Sequence, residues 1–147
     1  MSTIFEKIIA GEIPGNFVWA DDDCVAIMDI APVQPGHVMV IPRKPVDHFY
    51  DVEPQLAATA FQTSQKIAKV MASTFDCTRV GLMIMGYGVP HTHLHLVPIN
   101  SEKDLIPDPS RTNPSPEELA KKATELRAAL RVAGYETEVT QAEQLLG

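Results

Sequence analysis

The stretch His91-Thr92-His93-Leu94-His95-Leu96-Val97 holds three of the chain's five histidines, at every second position. A β-strand sends alternate side chains to the same face. On a strand the three imidazoles therefore line up on one side, with Thr92, Leu94 and Leu96 on the other. In a helix, residues two apart would lie about 200° apart and could not share a face. Leu94, Leu96 and Val97 suit a strand, and Pro98 is expected to end it. A row of imidazoles is costly if charged and packs poorly if neutral, so the pattern points to chemistry. Two chemistries fit the residue types. Neutral imidazole is a common zinc ligand. Alternatively, one imidazole attacks a substrate covalently while its neighbours orient it and handle protons and charge.

The spacing is that of the His-φ-His-φ-His-φ-φ signature (φ apolar) of the histidine triad family of nucleotide-binding proteins, with Thr92 a partial match. Two upstream segments resemble the same family. Asp29-Ile30-Ala31-Pro32 with Gly36-His37-Val38-Met39-Val40-Ile41-Pro42 is similar to its Asp-Ile-x-Pro…Gly-His-x-φ-φ-φ-Pro run, and Ile4–Pro14 is similar to its start. The three segments stand in the family's order, and the likeness is greatest to the Hint-like branch.

The resemblance implies an α+β, HIT-like fold, a homodimer with the two sheets joined side by side, and a purine nucleotide or nucleotide conjugate as ligand. It implies attack by His93 on the α-phosphorus of a nucleoside monophosphate ester, amide or anhydride. The resulting nucleotidyl-histidine is then hydrolysed by water. His95 would stabilise charge on the phosphate oxygens, and His91 and His37 would fix the tautomers and orientation of their neighbours. Asp29 would accept hydrogen bonds from the ribose hydroxyls, or else merely cap the following turn. Ile27 and Ile30 would pack around base or sugar, and Phe5 and Ile8 would line an apolar slot for the base. Gly86, Gly88 and Val89 would bring backbone N–H groups near the phosphate. No cofactor is required. Zinc could sit opportunistically on His91, His93 and His95 and would then inhibit.

The chain departs from the Hint-like pattern in one loop. Gly86-Tyr87-Gly88-Val89 stands where an amide or hydroxyl usually lies close to the leaving group. That departure motivates an alternative, a purine-nucleotide-binding protein with little turnover. A zinc-dependent hydrolase is a third reading.

With 147 residues and a net charge of −7, the chain has the size of one domain and lacks the basic footprint of a nucleic-acid binder. A single nucleotide is still admissible. Glu6, Lys7 and Glu12 interrupt any signal-peptide core, and no apolar run approaches membrane-spanning length. Cys24 and Cys77 are expected to be reduced, in a cytoplasmic protein.

The remaining residues supply the frame. Thr3 and Glu6 have capping-box spacing before a short helix bearing Phe5, Ile8 and Ile9. Phe17–Ala20 and Cys24–Met28 read as a hairpin around Asp21-Asp22-Asp23, with the carboxylates in the turn. His37–Ile41 and Thr78–Met85 are further strands, and His48 reads as structural. Ala57, Ala60, Phe61, Ser64, Ile67, Ala68 and Met71 mark the longest helix. The expectation is a five-stranded antiparallel sheet with one long and two shorter helices. Residues 1–134 would form a single domain, including a Pro-rich connection over 98–116 and a helix over 116–133. Residues 135–147 would be a tail, flexible in part.

Overall fold

The computed structural model describes residues 2–108, 110 and 113–146. Pro109, one of the prolines of the expected connection, lies outside them. Strands β1 (Phe17–Ala20) and β2 (Cys24–Met28) form the first hairpin. Asp21 shapes its turn: one carboxylate oxygen accepts the N–H groups of Asp23 (2.9 Å) and Cys24 (2.8 Å), and the other accepts Trp19 Nε1–H (3.0 Å). Strand β3 (Val38–Pro42) returns along β2. Helix α2 (Pro54–Thr74) crosses to β4 (Arg79–Met83), and β5 (Leu94–Ile99) inserts between β3 and β4. The result is an antiparallel sheet of order β1-β2-β3-β5-β4, the α+β architecture expected.

In β2, β3 and β5, period-two alternation assigns the strand's two faces to opposite sides of the sheet. In β1 a register shift puts the consecutive Val18 and Trp19 in one core. Ala26, Met28, Val38, Val40, Leu94 and Leu96 pack with α2 and with α3 (Pro116–Val132). Val25, Ile27, Met39 and Ile41 face the other way, toward Phe5 and Ile8 of helix α1 (Ile4–Ile9). The register places Met39 opposite both Ile27 and His95. One sheet face thus carries the histidines, and the other carries the main helical layer.

Several boundaries differ from expectation, β4 among them, which is shorter at both ends than Thr78–Met85. His91 and His93 precede β5, and His37 immediately precedes β3. Pro98 lies inside β5 instead of ending it. Pairing with β3 covers only Leu94–Leu96, so β5 is already free on that side at Pro98, where a missing N–H breaks no ladder. Residues 136–145, expected as tail, form a fourth helix, α4. Its Val139 and Ala142 are fully buried, and it packs against β1. Arg131 fastens it from α3 by bonds to Glu136 (2.6 Å) and Glu143 (2.9 Å).

Of the three helix starts read from the sequence, those of α1 and α3 carry a side-chain cap, whereas Glu53, before Pro54 at the start of α2, makes no capping hydrogen bond. Thr3 and Glu6 make the reciprocal capping box, and Ser115 accepts the Glu118 N–H. Among the described residues no helix is long and apolar enough to cross a membrane.

Candidate active site

A cavity of about 390 Å³ opens between α1, the β2 end and the 85–89 loop. All the expected nucleotide contacts line it: Phe5, Ile8, Ile27, Asp29, Ile30, Gly86, Gly88 and Val89. So do His93 and His95. Ile13, Met39 and Met85 also contribute to the wall and were not assigned to it from the sequence. Met39 could have been, because alternation from His37 already put it on the histidine face. Its walls are mainly aliphatic and aromatic, with polar groups gathered at one end, as suits a ligand with an apolar body and a charged terminus.

His91 and His37 do not line this cavity. His91 is fully buried beside it, and His37 stands behind His95. His37 lies on a separate cavity of about 450 Å³, between the 32–36 loop and α3, which contains neither His93 nor His95.

Obligate donors and acceptors around the four rings assign their protons. The His91 carbonyl lies 2.7 Å from His93 Nδ1. A carbonyl only accepts, so Nδ1 carries the hydrogen and neutral His93 presents an unprotonated Nε2. His91 Nε2 lies 2.6 Å from the Pro42 carbonyl and must donate to it. Its Nδ1 then accepts from the Thr3 hydroxyl at 2.9 Å. Both nitrogens of His91 are therefore engaged within the protein.

The other pair is set from the backbone. The Val33 N–H donates to His37 Nδ1 (3.0 Å), which makes Nδ1 an acceptor and leaves the hydrogen on Nε2. His37 Nε2–H donates in turn to His95 Nδ1 (2.9 Å). Neutral His95 consequently bears its hydrogen on Nε2. His93 and His95, with rings 4.7 Å apart and edge to face, offer a lone pair and a donor side by side.

Burial disfavours the charged forms of His95, His37 and His91. It lowers the His95 pKa to about 4, with His93 and His37 adding to the effect and Asp29 opposing it. Burial likewise lowers His37, against Asp29, and His91, against the Pro42 carbonyl and Glu6. Asp29 divides its oxygens. One caps the turn by accepting the Ala31 N–H (2.9 Å), and the other lies 3.5 Å from His37 Nε2. The structure thus shows the turn-capping role of Asp29, which occupies only one of its oxygens.

The three triad histidines do not form a metal cluster. Among the described residues the donor atoms that converge are those of Asp29, His37 and His95, within 4.8 Å of one another. The proton arrangement argues against an ion there. A neutral His37 that ligates through Nε2 must carry its hydrogen on Nδ1, where the Val33 N–H already points. The expected zinc position on His91, His93 and His95 also fails at His91, whose two nitrogens are occupied.

In the 86–89 loop Gly86 adopts φ +81°, a left-handed conformation that suits glycine. Tyr87 stands at the rim of the cavity and is 98% exposed.

The Protein hit of Bacillus subtilis is 35% identical over 102 residues, covering 65% of this chain and 69% of its own. A Hit-like protein from Bartonella henselae, described as involved in cell-cycle regulation and crystallised with an unknown ligand, superposes with TM-score 0.76 at 32% identity. That match covers 87% of this chain and 96% of that one. A zinc-bound histidine triad family protein from Mycobacterium smegmatis gives TM-score 0.76 at 27% identity, covering 90% and 96%. Residues 10–102 match the HIT domain, and the chain belongs to the histidine triad family.

Proposed function

We propose that this protein is a nucleotide hydrolase or transferase of the Hint-like branch, acting at the α-phosphate of nucleoside monophosphate conjugates. The observation that carries the reading is the 2.7 Å bond from His93 Nδ1–H to the His91 carbonyl, which leaves Nε2 as a free lone pair at the cavity wall. The base lies between Phe5, Ile8, Ile27 and Ile30, and the Asp29 oxygen that does not cap the turn accepts from the ribose. His93 Nε2 attacks phosphorus. An N–P bond forms, the bond to the leaving group breaks, and that group departs with the electron pair. Water then attacks the nucleotidyl-histidine and gives up one proton, which balances the charge carried off by the leaving group. The N–P bond breaks and the lone pair returns to Nε2. His95 Nε2–H, held in place by His37, and N–H groups of the Gly86–Val89 loop bind the phosphate oxygens.

Phosphoramidates, adenylates and dinucleoside polyphosphates all present the required α-phosphorus. No cofactor enters this route. The acidic chain and the slot suit a purine nucleotide better than nucleic acid or a membrane, and the free cysteines Cys24 and Cys77 suit a reducing cytoplasm. The open β4 edge suits a homodimer. A second reading, nucleotide binding with little turnover, is favoured by the loop's composition, in which Gly86 and Gly88 bring no side chain and Tyr87 at the cavity rim is almost fully exposed.

The test is AMP release from an adenosine 5′-phosphoramidate, with EDTA present, by the wild type and His93→Ala. Release by the wild type and its loss in the variant is the expected result. No release from either, with AMP still protecting the fold against heat, would replace the hydrolase with the binding protein.

A further inference from the structure

We propose that Thr3 is a positioning residue for this reaction, its hydroxyl coupling the wall of the base slot to the alignment of His93. The inference rests on the reading of His93 as nucleophile. Thr3 makes two kinds of contact at once. As N-cap of α1 it accepts the Glu6 N–H (3.2 Å), while its own N–H donates to Glu6 Oε1 (2.9 Å). The hydroxyl hydrogen is then directed to His91 Nδ1, 88 residues away in sequence, at 2.9 Å. His91 passes the constraint on. Its Nε2–H is held by Pro42 at the end of β3, and its carbonyl holds His93 Nδ1–H.

Phe5, the second residue of α1, meets the same two rings edge-on, with centroids 5.6 Å from His91 and 4.9 Å from His93. The helix that walls the slot is thus tied to the nucleophile through packing at Phe5 and through one directional bond at Thr3. Without the hydroxyl, His91 Nδ1 has no donor. The ring can then turn or exchange its proton, and the peptide that sets the His93 tautomer loosens. Glu6, on α1, and His93 are the ionisable groups facing the His91 ring, and they act on it in opposite directions.

Capping and positioning can be separated by chemistry. Thr3→Ser retains both the cap and the donor. Thr3→Val keeps the shape and loses both. Thr3→Asp keeps a good cap but cannot donate to His91. Each would be assayed for AMP release from an adenosine 5′-phosphoramidate under conditions where the wild type is active, so inactivity of the wild type would count against the nucleophile assignment and not against Thr3. The expected result is a fall in kcat of about threefold to tenfold in both Val and Asp variants, the scale of one hydrogen bond. KM should rise in Val alone, and Ser should restore both constants. Histidine ¹⁵N NMR should find His91 as the Nε2–H tautomer in wild type and Ser, and altered in Val and Asp. Wild-type kcat and an unchanged His91 signal in Thr3→Asp would overturn the proposal and leave Thr3 a helix cap only.

Discussion

His93 and His95 are two residues apart, yet they carry their hydrogens on opposite nitrogens. The difference comes from what each Nδ1 meets: a carbonyl for His93, and a ring hydrogen from His37 for His95. Identical side chains thus acquire opposite capacities, lone pair and donor. The alternation of the triad was legible because period two is a local property. The proton assignments were not, since Pro42, Val33 and Thr3 reach the rings only through the fold. The depressed pKa values have a consequence for stability. When the chain unfolds, His95 recovers a value of about 6.5. Between that value and its folded value of about 4, the unfolded state binds a proton that the folded state refuses. Stability therefore falls as pH drops through that window, by about 3 kcal/mol for His95 alone at its foot. His37 and His91 act in the same direction. Urea-unfolding midpoints measured from pH 7 to 4 should decline, and His95→Gln should flatten part of the slope. An equal slope in the variant would mean that His95 is not held neutral by the fold.

At the scale of elements, α1, β2, β3 and α2 were readable because caps, alternation and helical spacing agreed over each. Helix α4 was not. Its buried face consists of Val139 and Ala142 among Glu136, Thr137, Glu138, Thr140, Gln141 and Glu143, too sparse an apolar stripe to stand out from a solvated tail. What makes it a helix is tertiary: contact with β1 and the Arg131 bonds from α3. Val139, fully buried, joins the core shared with α3 and β1, whereas Ala142 joins the core under α1. The helix therefore bridges both layers at the β1 end of the sheet. Val139→Asp should cost about 3 kcal/mol or more, because an unpaired carboxylate cannot remain in that core. Thermal unfolding would measure it, and a wild-type midpoint would mean that α4 contributes nothing to the fold. Distances among the histidines should survive the change at low temperature, since none of the bonds that orient them involves α4.

For the molecule as a whole, the two edges of the sheet are treated differently. At β1, α4 covers the edge. At β4, among the described residues, no further strand or helix pairs beyond, and the strand shows a row of backbone groups with Leu82 42% exposed. Phe61 on α2, which packs against β4, is 50% exposed as well. The edge carries one charged side chain, Arg79 at its start, and its remaining residues are uncharged. Such a stretch beside exposed apolar side chains invites pairing with another strand, and most soluble proteins blunt such an edge with charge or cover it. A second copy of the chain would satisfy it by antiparallel β4–β4 pairing about a two-fold axis, extending the sheet across both subunits and leaving each base slot complete in its own chain. Sedimentation equilibrium should therefore find twice the chain mass of 16.1 kDa. Leu82→Lys places a like charge on both sides of the axis and should shift the equilibrium toward the monomer. AMP release in the dissociated variant should persist, since every group assigned to the nucleotide comes from one subunit. A wild type that sediments as a monomer at all concentrations would remove the homodimer. A Leu82→Lys protein that remains a dimer would move the interface away from β4.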